Sequence, residues 1–117
     1  MTTATAVRIE LDSILDAIVG PQRLLAGDLT GEDARREAQL DYHDLQDYPV
    51  EIVIPARVIS VNSSFLRGFI RPSIFRLGED RFREKYSFTG PDFSAEIEDE
   101  IGRAVLQLQR AESRAAA

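Results

Sequence analysis

The chain has 117 residues, of which 44% are hydrophobic and 29% are charged, and its formal net charge is −6. This length fits one domain with a single core, and the composition excludes an intrinsically disordered chain. No apolar run reaches the roughly 20 residues that cross a bilayer, and the acidic charge argues against general nucleic-acid binding. The lack of cysteine excludes disulfides and thiolate chemistry. The N-terminus lacks the pattern of a signal peptide, so we expect a cytoplasmic protein.

The chain opens with a predicted strand and a short helix. Apolar residues alternate over residues 7–11, as expected for a strand with one buried face. Ser13 precedes an apolar segment and Asp16 follows three positions later, which predicts a brief helix that ends at Gly20 and Pro21. The β-branched residues of this segment leave a strand as the alternative.

A longer helix is predicted from about residue 31 to residue 46. Thr30 and Asp33 have the spacing of a capping box, although Asp is a weaker partner than Glu. Four apolar residues recur at helical spacing and form one narrow face: Ala34, Ala38, Tyr42 and Leu45. Segment 50–61 is rich in Val and Ile and therefore predicts a buried strand, bent or placed at a sheet edge by Pro55.

The next predicted helix covers residues 63–77 and ends at Gly78. Its apolar stripe should pack on the strand at 50–54 and consists of Leu66, Phe69, Ile70, Ile74 and Leu77. Pro72 interrupts the helix, but the residue four positions earlier is Gly68, whose backbone can yield to the proline ring. We therefore predict a kinked, continuous helix, with two short helices as the alternative.

A strand and a helix end the chain. Alternating aromatic residues predict a strand whose inward side chains are Phe82, Tyr86 and Phe88. Gly90 and Pro91 then turn the chain, and Asp92 or Ser94 caps a helix. The apolar face of that helix is Ile97, Ile101, Val105 and Leu108.

The order of these elements predicts one α/β domain over residues 1–117, with a mixed, mostly parallel sheet and helices packed on it. Its core should span about residues 7–110, and residues 111–117 should form a frayed tail.

Charge is unevenly distributed along the sequence. Residues 28–51 carry eight acids against two arginines, whereas residues 57–86 carry seven bases against three acids. This split is consistent with a polarised surface that orients a protein partner, and two ordinary solvated faces are the alternative.

Three segments together carry a resemblance to a known family. They are DAIVGPQRLLAGDLTGEDARREAQL, VEIVIPARVISVNSSFLRGFI and RLGEDRFREKYSFTG. The chain resembles, from about residue 7 to 106, the prokaryotic STAS-like domain family, which is distantly similar to the STAS domains of anti-sigma-factor antagonists. The sharpest element is the Asn-Ser-Ser-Phe-Leu sequence at 62–66, which joins a buried strand to a helix.

The resemblance implies a function for this helix start. Anti-sigma-factor antagonists bind a kinase-like ATPase and are switched by serine phosphorylation at the same place. Ser63 falls where they carry the phosphorylated serine, and Ser64 is its neighbour. Asn62 stands where they usually have aspartate, and Phe65 replaces a glycine that lets the partner approach closely.

The residue chemistry of the helix start supports two interpretations. Asn and Ser are preferred N-caps because their side chains accept hydrogen bonds from the first turn, so capping alone explains Asn62, Ser63 and Ser64. The same N–H groups would also accommodate a phosphate. Arg67 and Arg71 are predicted to contact an anion or a partner, or to cover the apolar stripe with their stems.

Catalytic and metal-binding alternatives have weaker support. His43 is the only histidine, and nothing in its spacing pairs it with Ser63, so we expect an exposed side chain and no catalytic residue. The acids at 96–100 suit a solvated helix start better than a metal site. We therefore expect no metal, and because no phosphate-binding glycine loop is present we also expect no cofactor.

The preferred function is therefore a non-enzymatic regulatory module that docks a protein partner, such as a kinase-like ATPase, through the helix start at 61–67 and is controlled by serine phosphorylation. One alternative is an enzyme or ligand-binding subunit in which the serines and arginines hold a small anion. Another is a phage or mobile-element accessory protein that uses the fold for assembly. Neither nucleic acid nor membrane is an expected partner, and the sequence does not define an oligomeric state.

Overall fold

The computed structural model describes residues 6–18, 24–25 and 28–116. A three-stranded sheet has the order β1 (Val7–Glu10), β3 (Val50–Val53) and β5 (Tyr86–Thr89), with every pair parallel. A second parallel pair joins β2 (Leu24–Leu25) to β4 (Ser60–Val61). The helices are α1 (Leu11–Ile18), α2 (Asp28–Ala38), α3 (Leu40–Asp44), α4 (Ser63–Phe69), α5 (Arg71–Leu77), α6 (Glu79–Lys85) and α7 (Ser94–Ala116). The predicted α/β class with a parallel sheet is confirmed.

The register of the main sheet separates an apolar face from a polar one. Ile52 lies opposite Ile9 on one side and Phe88 on the other, and all three side chains are on the face that packs against the helices. One position earlier, Glu51 lies between Arg8 and Ser87, on the opposite face. The alternation explains why β1 was predictable as a strand, whereas the first half of segment 50–61 was predicted from its Val and Ile content.

The helices α4 and α5 form the centre of the core. Four residues of the predicted stripe are 3% exposed or less, which confirms their burial: Leu66, Phe69, Ile70 and Ile74. The prediction of one continuous helix is wrong, because α4 ends at Phe69 and α5 begins at Arg71. Pro72 lies in the first turn of α5, where its missing N–H leaves no intrahelical hydrogen bond unmade.

Two further predicted elements are each divided. Gln39 has a left-handed backbone (φ 56°) that separates α2 from α3, so the predicted helix 31–46 is two helices. Because the turn resets the helical periodicity, Tyr42 and Leu45 are 56% and 72% exposed instead of buried. Segment 50–61 is likewise two strands, separated by a turn in which Val58 N–H donates to Pro55 O at 3.0 Å.

The strand predicted from Phe82 is wrong in its first half, since Phe82 lies in α6 and β5 begins only at Tyr86. Phe82 and Tyr86 are four positions apart, which is a helical spacing, and their rings stack with centroids 5.0 Å apart. Glu79 and Arg83 form an ion pair on α6 at 3.0 Å, again at a spacing of four.

The predicted helix boundaries are partly correct. The helix α1 begins at Leu11 and α2 begins at Asp28, so Ser13 and Thr30 lie inside helices and do not cap them. The predicted stops at Gly20 and Pro21 lie outside the described residues. Asp92 Oδ1 accepts a hydrogen bond from the Ser94 N–H at 3.0 Å, as expected at the start of α7.

The last helix differs from the prediction at its far end. Ile97 and Ile101 are buried, and Val105 and Leu108 pack partly against the core, which confirms its predicted face. The helix continues to Ala116, so residues 111–116 of the segment expected to fray are helical, with exposed side chains over 111–114.

Candidate functional site

Asn62 caps the helix α4. Its backbone is extended (φ −104°, ψ 169°), and its Oδ1 accepts hydrogen bonds from the Phe65 N–H at 3.1 Å and from the Ser64 hydroxyl at 2.7 Å. The cap satisfies an N–H group of the first turn that has no intrahelical partner. Asn62 and Ser64 therefore both stabilise the local structure of this helix start.

Ser63 is the first residue of α4, and its side chain is exposed. Ser64, beside it, is half-buried and turned toward Asn62. A modifying enzyme or a partner needs an accessible hydroxyl, and Ser63 meets that requirement. Capping does not account for Ser63, because the Phe65 N–H is satisfied by Asn62.

The surface around Ser63 combines apolar, polar and cationic side chains. Ile59 is 67% exposed and precedes β4, Ser60 and Asn62 are exposed, and Arg67 is exposed one helical turn after Ser63. We call Ile59, Ser60, Asn62, Ser63 and Arg67 the helix-start surface. Residues four apart lie on the same face of a helix, so Ser63 and Arg67 point to the same side.

Close packing of α2 holds this surface in place. Gly31 contacts the backbone of α4 so tightly that an added Cβ would lie 2.2 Å from Phe65 O. Phe65 itself is 1% exposed, and its ring stacks on that of Phe69 with centroids 5.5 Å apart. The ring of Phe65 therefore lies in the core and away from the helix-start surface.

Arg71 lies on the side of α5 that faces α7. Its Nε and Nη2 donate to the two carboxylate oxygens of Glu100 at 2.5 and 2.8 Å, and Nη1 donates to Gln107 at 3.2 Å. The Glu100 side chain is fully buried, which differs from the solvated position expected for it. An anionic ligand would have to compete with this carboxylate for Arg71.

Arg67 lines a cleft of about 410 Å³ together with Arg35, Arg36 and Pro72. Glu32 and Asp41 line the same cleft, so an anion there would meet two carboxylates as well as the arginines. This charge balance gives little support to a site for a small anion.

A buried ionic network that was not predicted from the sequence joins five elements: α2, α3, α4, α5 and β5. Arg35 of α2 donates to Asp44 at 2.9 Å, to Ser73 of α5 at 2.7 Å and to Phe69 O at 3.0 Å. The Ser73 and Tyr86 hydroxyls donate to Asp44 in turn. The one sequence feature that indicates burial of Arg35 is its place on the same helical face as Ala34 and Ala38.

Charge and burial shift the pKa values in this network. The Arg35 guanidinium, which donates to Asp41, lowers the pKa of that carboxyl below its ordinary value. Burial raises the pKa of the Tyr86 phenol, and the hydrogen bond to Asp44 raises it further. In the part of the chain that the structure describes, no buried side-chain nitrogen or oxygen lacks a hydrogen-bond partner. The network is saturated and has the character of a structural element.

His43 is half-buried rather than exposed, and it lies beside Tyr48, with Nδ1 2.6 Å from the phenol oxygen. Burial lowers the pKa of this imidazole, and the nearby charge of Lys85 lowers it further. Lys85 donates to the backbone oxygens of Gln46 and Tyr48, at 2.8 and 2.6 Å. These contacts fasten the loop after α3 to α6 and give His43 no serine partner.

Besides Glu100, two acids of α7 are paired with arginines. Arg83 contacts Glu98 at 2.7 Å and Arg103 contacts Asp99 at 2.9 Å. Over residues 6–18, 24–25 and 28–116, no group of three or more His, Cys, Asp or Glu side chains is placed to hold a metal ion. In the same residues, no helix combines the length and the apolar character that a membrane span requires.

No protein family, curated protein or solved structure matches this chain. The resemblance to STAS-like domains therefore rests on the sequence segments that carry it and remains a prediction.

Proposed function

We propose that this protein is a non-enzymatic regulatory module that docks a protein partner through the helix-start surface. The observation that carries the proposal is the exposure of Ser63 next to the 67%-exposed Ile59, on a helix start that Asn62 already caps. A single exposed isoleucine is common on protein surfaces. Here it is followed in the sequence by exposed residues that carry hydroxyl, amide and guanidinium groups, a mixture that suits a protein interface with an apolar centre and a polar rim.

Rigidity of the surface also supports docking. Asn62 fixes the first turn of α4, and Gly31 brings α2 into contact with the backbone at Phe65. A surface built on such elements changes little on binding, which reduces the entropy lost when a complex forms.

We further propose that phosphorylation of Ser63 controls docking, as the resemblance implies. A phosphate would add nearly two negative charges to an exposed position. Arg67, one turn further along the same face, is positioned to interact with it. A partner that packs against the neutral serine would then meet a desolvated charge and lose affinity. On this proposal the partner is an ATP-binding, kinase-like protein.

A capture experiment with matched variants tests the proposal. Immobilised wild-type protein, Ser63→Asp and Ser113→Asp are exposed to native cell extract, and the bound proteins are quantified by mass spectrometry. Ser113 is an exposed serine of α7 remote in sequence from the helix start, so it controls for the added charge. We expect a protein that wild type and Ser113→Asp retain and that Ser63→Asp loses.

Thermal melting of the same variants separates binding from folding. An acid in the first turn of a helix suits the helix dipole, so Ser63→Asp should change stability by no more than about 1 kcal/mol. Identical captured proteins for all three forms would contradict docking at this surface. Capture of phage assembly proteins through Ser63 would favour the accessory function over the kinase-like partner.

A further inference from the structure

The outer edge of β5 differs from the other edge of the sheet. In a strand, the N–H and C=O groups of successive residues point alternately to the two edges. Thr89 O accepts a hydrogen bond from the Ile54 N–H at 2.8 Å, so the backbone N–H and C=O of Thr89 point toward β3. Those of Phe88 therefore point to the outer edge. The Tyr86 N–H is taken by Phe82 O of α6. No described residue pairs with the outward N–H and C=O of Phe88.

The edge formed by β1 is protected by charge. Val7 N–H donates to Pro49 O on the β3 side, so Arg8 and Glu10 carry the outward backbone groups. Their side chains form an ion pair at 2.9 Å, and charged residues on an edge strand discourage the addition of another strand. The sequence of β5, Tyr-Ser-Phe-Thr, contains neither a charge nor a proline.

A cleft borders this edge of β5. Its volume is about 420 Å³, and it lies between β5, α6 and the first turns of α7. Phe88, Phe93 and Ile97 supply apolar lining, and the ion pair between Arg83 and Glu98 joins α6 to α7 across it. The walls on two sides leave room for a slender chain along β5.

We propose that the β5 edge binds an extended segment of a partner protein, which adds to the sheet as a fourth strand. Four residues of β5 offer about 13 Å of edge at roughly 3.3 Å per residue. The residue of the segment that lies opposite Phe88 exchanges backbone hydrogen bonds with it and places an apolar side chain beside Phe93. The residues on either side of it in the segment point their side chains to the polar face of the sheet, as Ser87 does. Asp92 and Glu98 outnumber Arg83 in the cleft, so the segment carries basic residues. This site is separate from the helix-start surface.

A synthetic peptide provides the test. The probe is the capped pentapeptide Lys-Thr-Val-Thr-Lys, titrated into ¹⁵N-labelled full-length protein, with the same peptide N-methylated at its central valine as the control. We expect the Phe88 amide to shift and its hydrogen exchange to slow, while the outward amide of Arg8 stays unchanged. N-methylation removes one donor to β5 and should weaken binding roughly tenfold.

Two variants of the protein test the complementary group, which is the outward N–H of Phe88. Phe88→Pro deletes the outward N–H without touching the ladder to β3, since proline is tolerated at such edge positions. Phe88→Ala loses the same ring but keeps the N–H. We expect Phe88→Pro to bind the peptide roughly tenfold more weakly than Phe88→Ala.

Three results would overturn the proposal. An unperturbed Phe88 amide at millimolar peptide, or equal binding of the methylated peptide, would overturn the proposal. If Phe88→Pro does not fold, the methylated peptide decides the question on the wild-type protein. A dimer that Phe88→Pro dissociates would assign the edge to a second copy of the chain and would also overturn it.

Discussion

Asp44 is the residue on which the packing of the polar interior depends. Its side chain has no solvent exposure, yet it accepts hydrogen bonds from the Arg35 guanidinium and from the Ser73 and Tyr86 hydroxyls. A buried carboxylate is stable only when charge and hydrogen bonds replace its hydration. Arg35 supplies the charge, and because its own side chain is 7% exposed, each ion requires the other.

We predict that Asp44→Asn strongly destabilises the fold. The change leaves the Arg35 charge buried, with the largely exposed Asp41 as its remaining carboxylate in contact, and should lower the free energy of unfolding by about 3 kcal/mol. The matched control is Asp33→Asn, which removes the exposed ion pair with Arg36 and should cost less than about 0.5 kcal/mol. Urea denaturation measures both, and equal losses would contradict a structural role for the buried pair.

Sequence predicts residue roles best when the partners are close along the chain. The cap formed by Asn62 spans three residues and was predictable from residue type and position. Asp44 bonds to residues 9, 29 and 42 positions away, which no local pattern connects. For the same reason Glu100 was predicted to be solvated, although Arg71, 29 positions earlier, holds it in the interior.

At the scale of elements, α4 and α5 present one apolar surface to the rest of the core. Phe69 and Ile70 are 1% exposed, and Ile74 is fully buried. The break at Ile70 is tolerated because Ile70 N–H still donates to Leu66 O and Ile74 N–H donates to Ile70 O. The two helices therefore keep the stripe aligned although they are not one continuous helix.

This alignment predicts different costs for two phenylalanines on the neighbouring helices. Phe69→Ala should lower the free energy of unfolding by about 3–5 kcal/mol, because it leaves a cavity in a packed core. Phe75→Ala removes the same ring from a position that is 39% exposed and should cost at least about 1 kcal/mol less. Thermal or urea denaturation compares them, and near-normal melting of Phe69→Ala would show that this face is not the core contact.

Elements with a clear period were predicted, and elements that depend on a turn were not. Alternation identified β1, the Val and Ile content identified β3, and the apolar face predicted for α7 was correct. The helix α6 was missed because the aromatic residues Phe82 and Tyr86 were assigned to one strand, although their spacing of four is helical. The break at Gln39 follows from one left-handed residue, which glutamine rarely adopts and which no sequence motif announced.

Over the whole molecule, the acidic and basic segments of the sequence meet instead of forming opposite faces. Arg76 of the basic segment lies 3.6 Å from Asp41 and 3.5 Å from Asp44 of the acidic one. Lys85, also from the basic segment, donates to the backbone at Gln46 and Tyr48. Two bases of the basic segment, Arg76 and Lys85, therefore join α3 and the following loop to α5 and α6.

The helix-start surface is one region of the described chain where polar and apolar side chains together face outward. Photo-crosslinking tests its role most directly. The full-length protein is expressed in its native cell with p-benzoylphenylalanine in place of Ser63, irradiated, and its adducts are identified by mass spectrometry. The same amino acid in place of Ser113 gives the background. We predict a specific protein adduct from position 63 that is missing from position 113. No adduct at position 63, or the same adducts at both positions, would contradict a docking function for this surface.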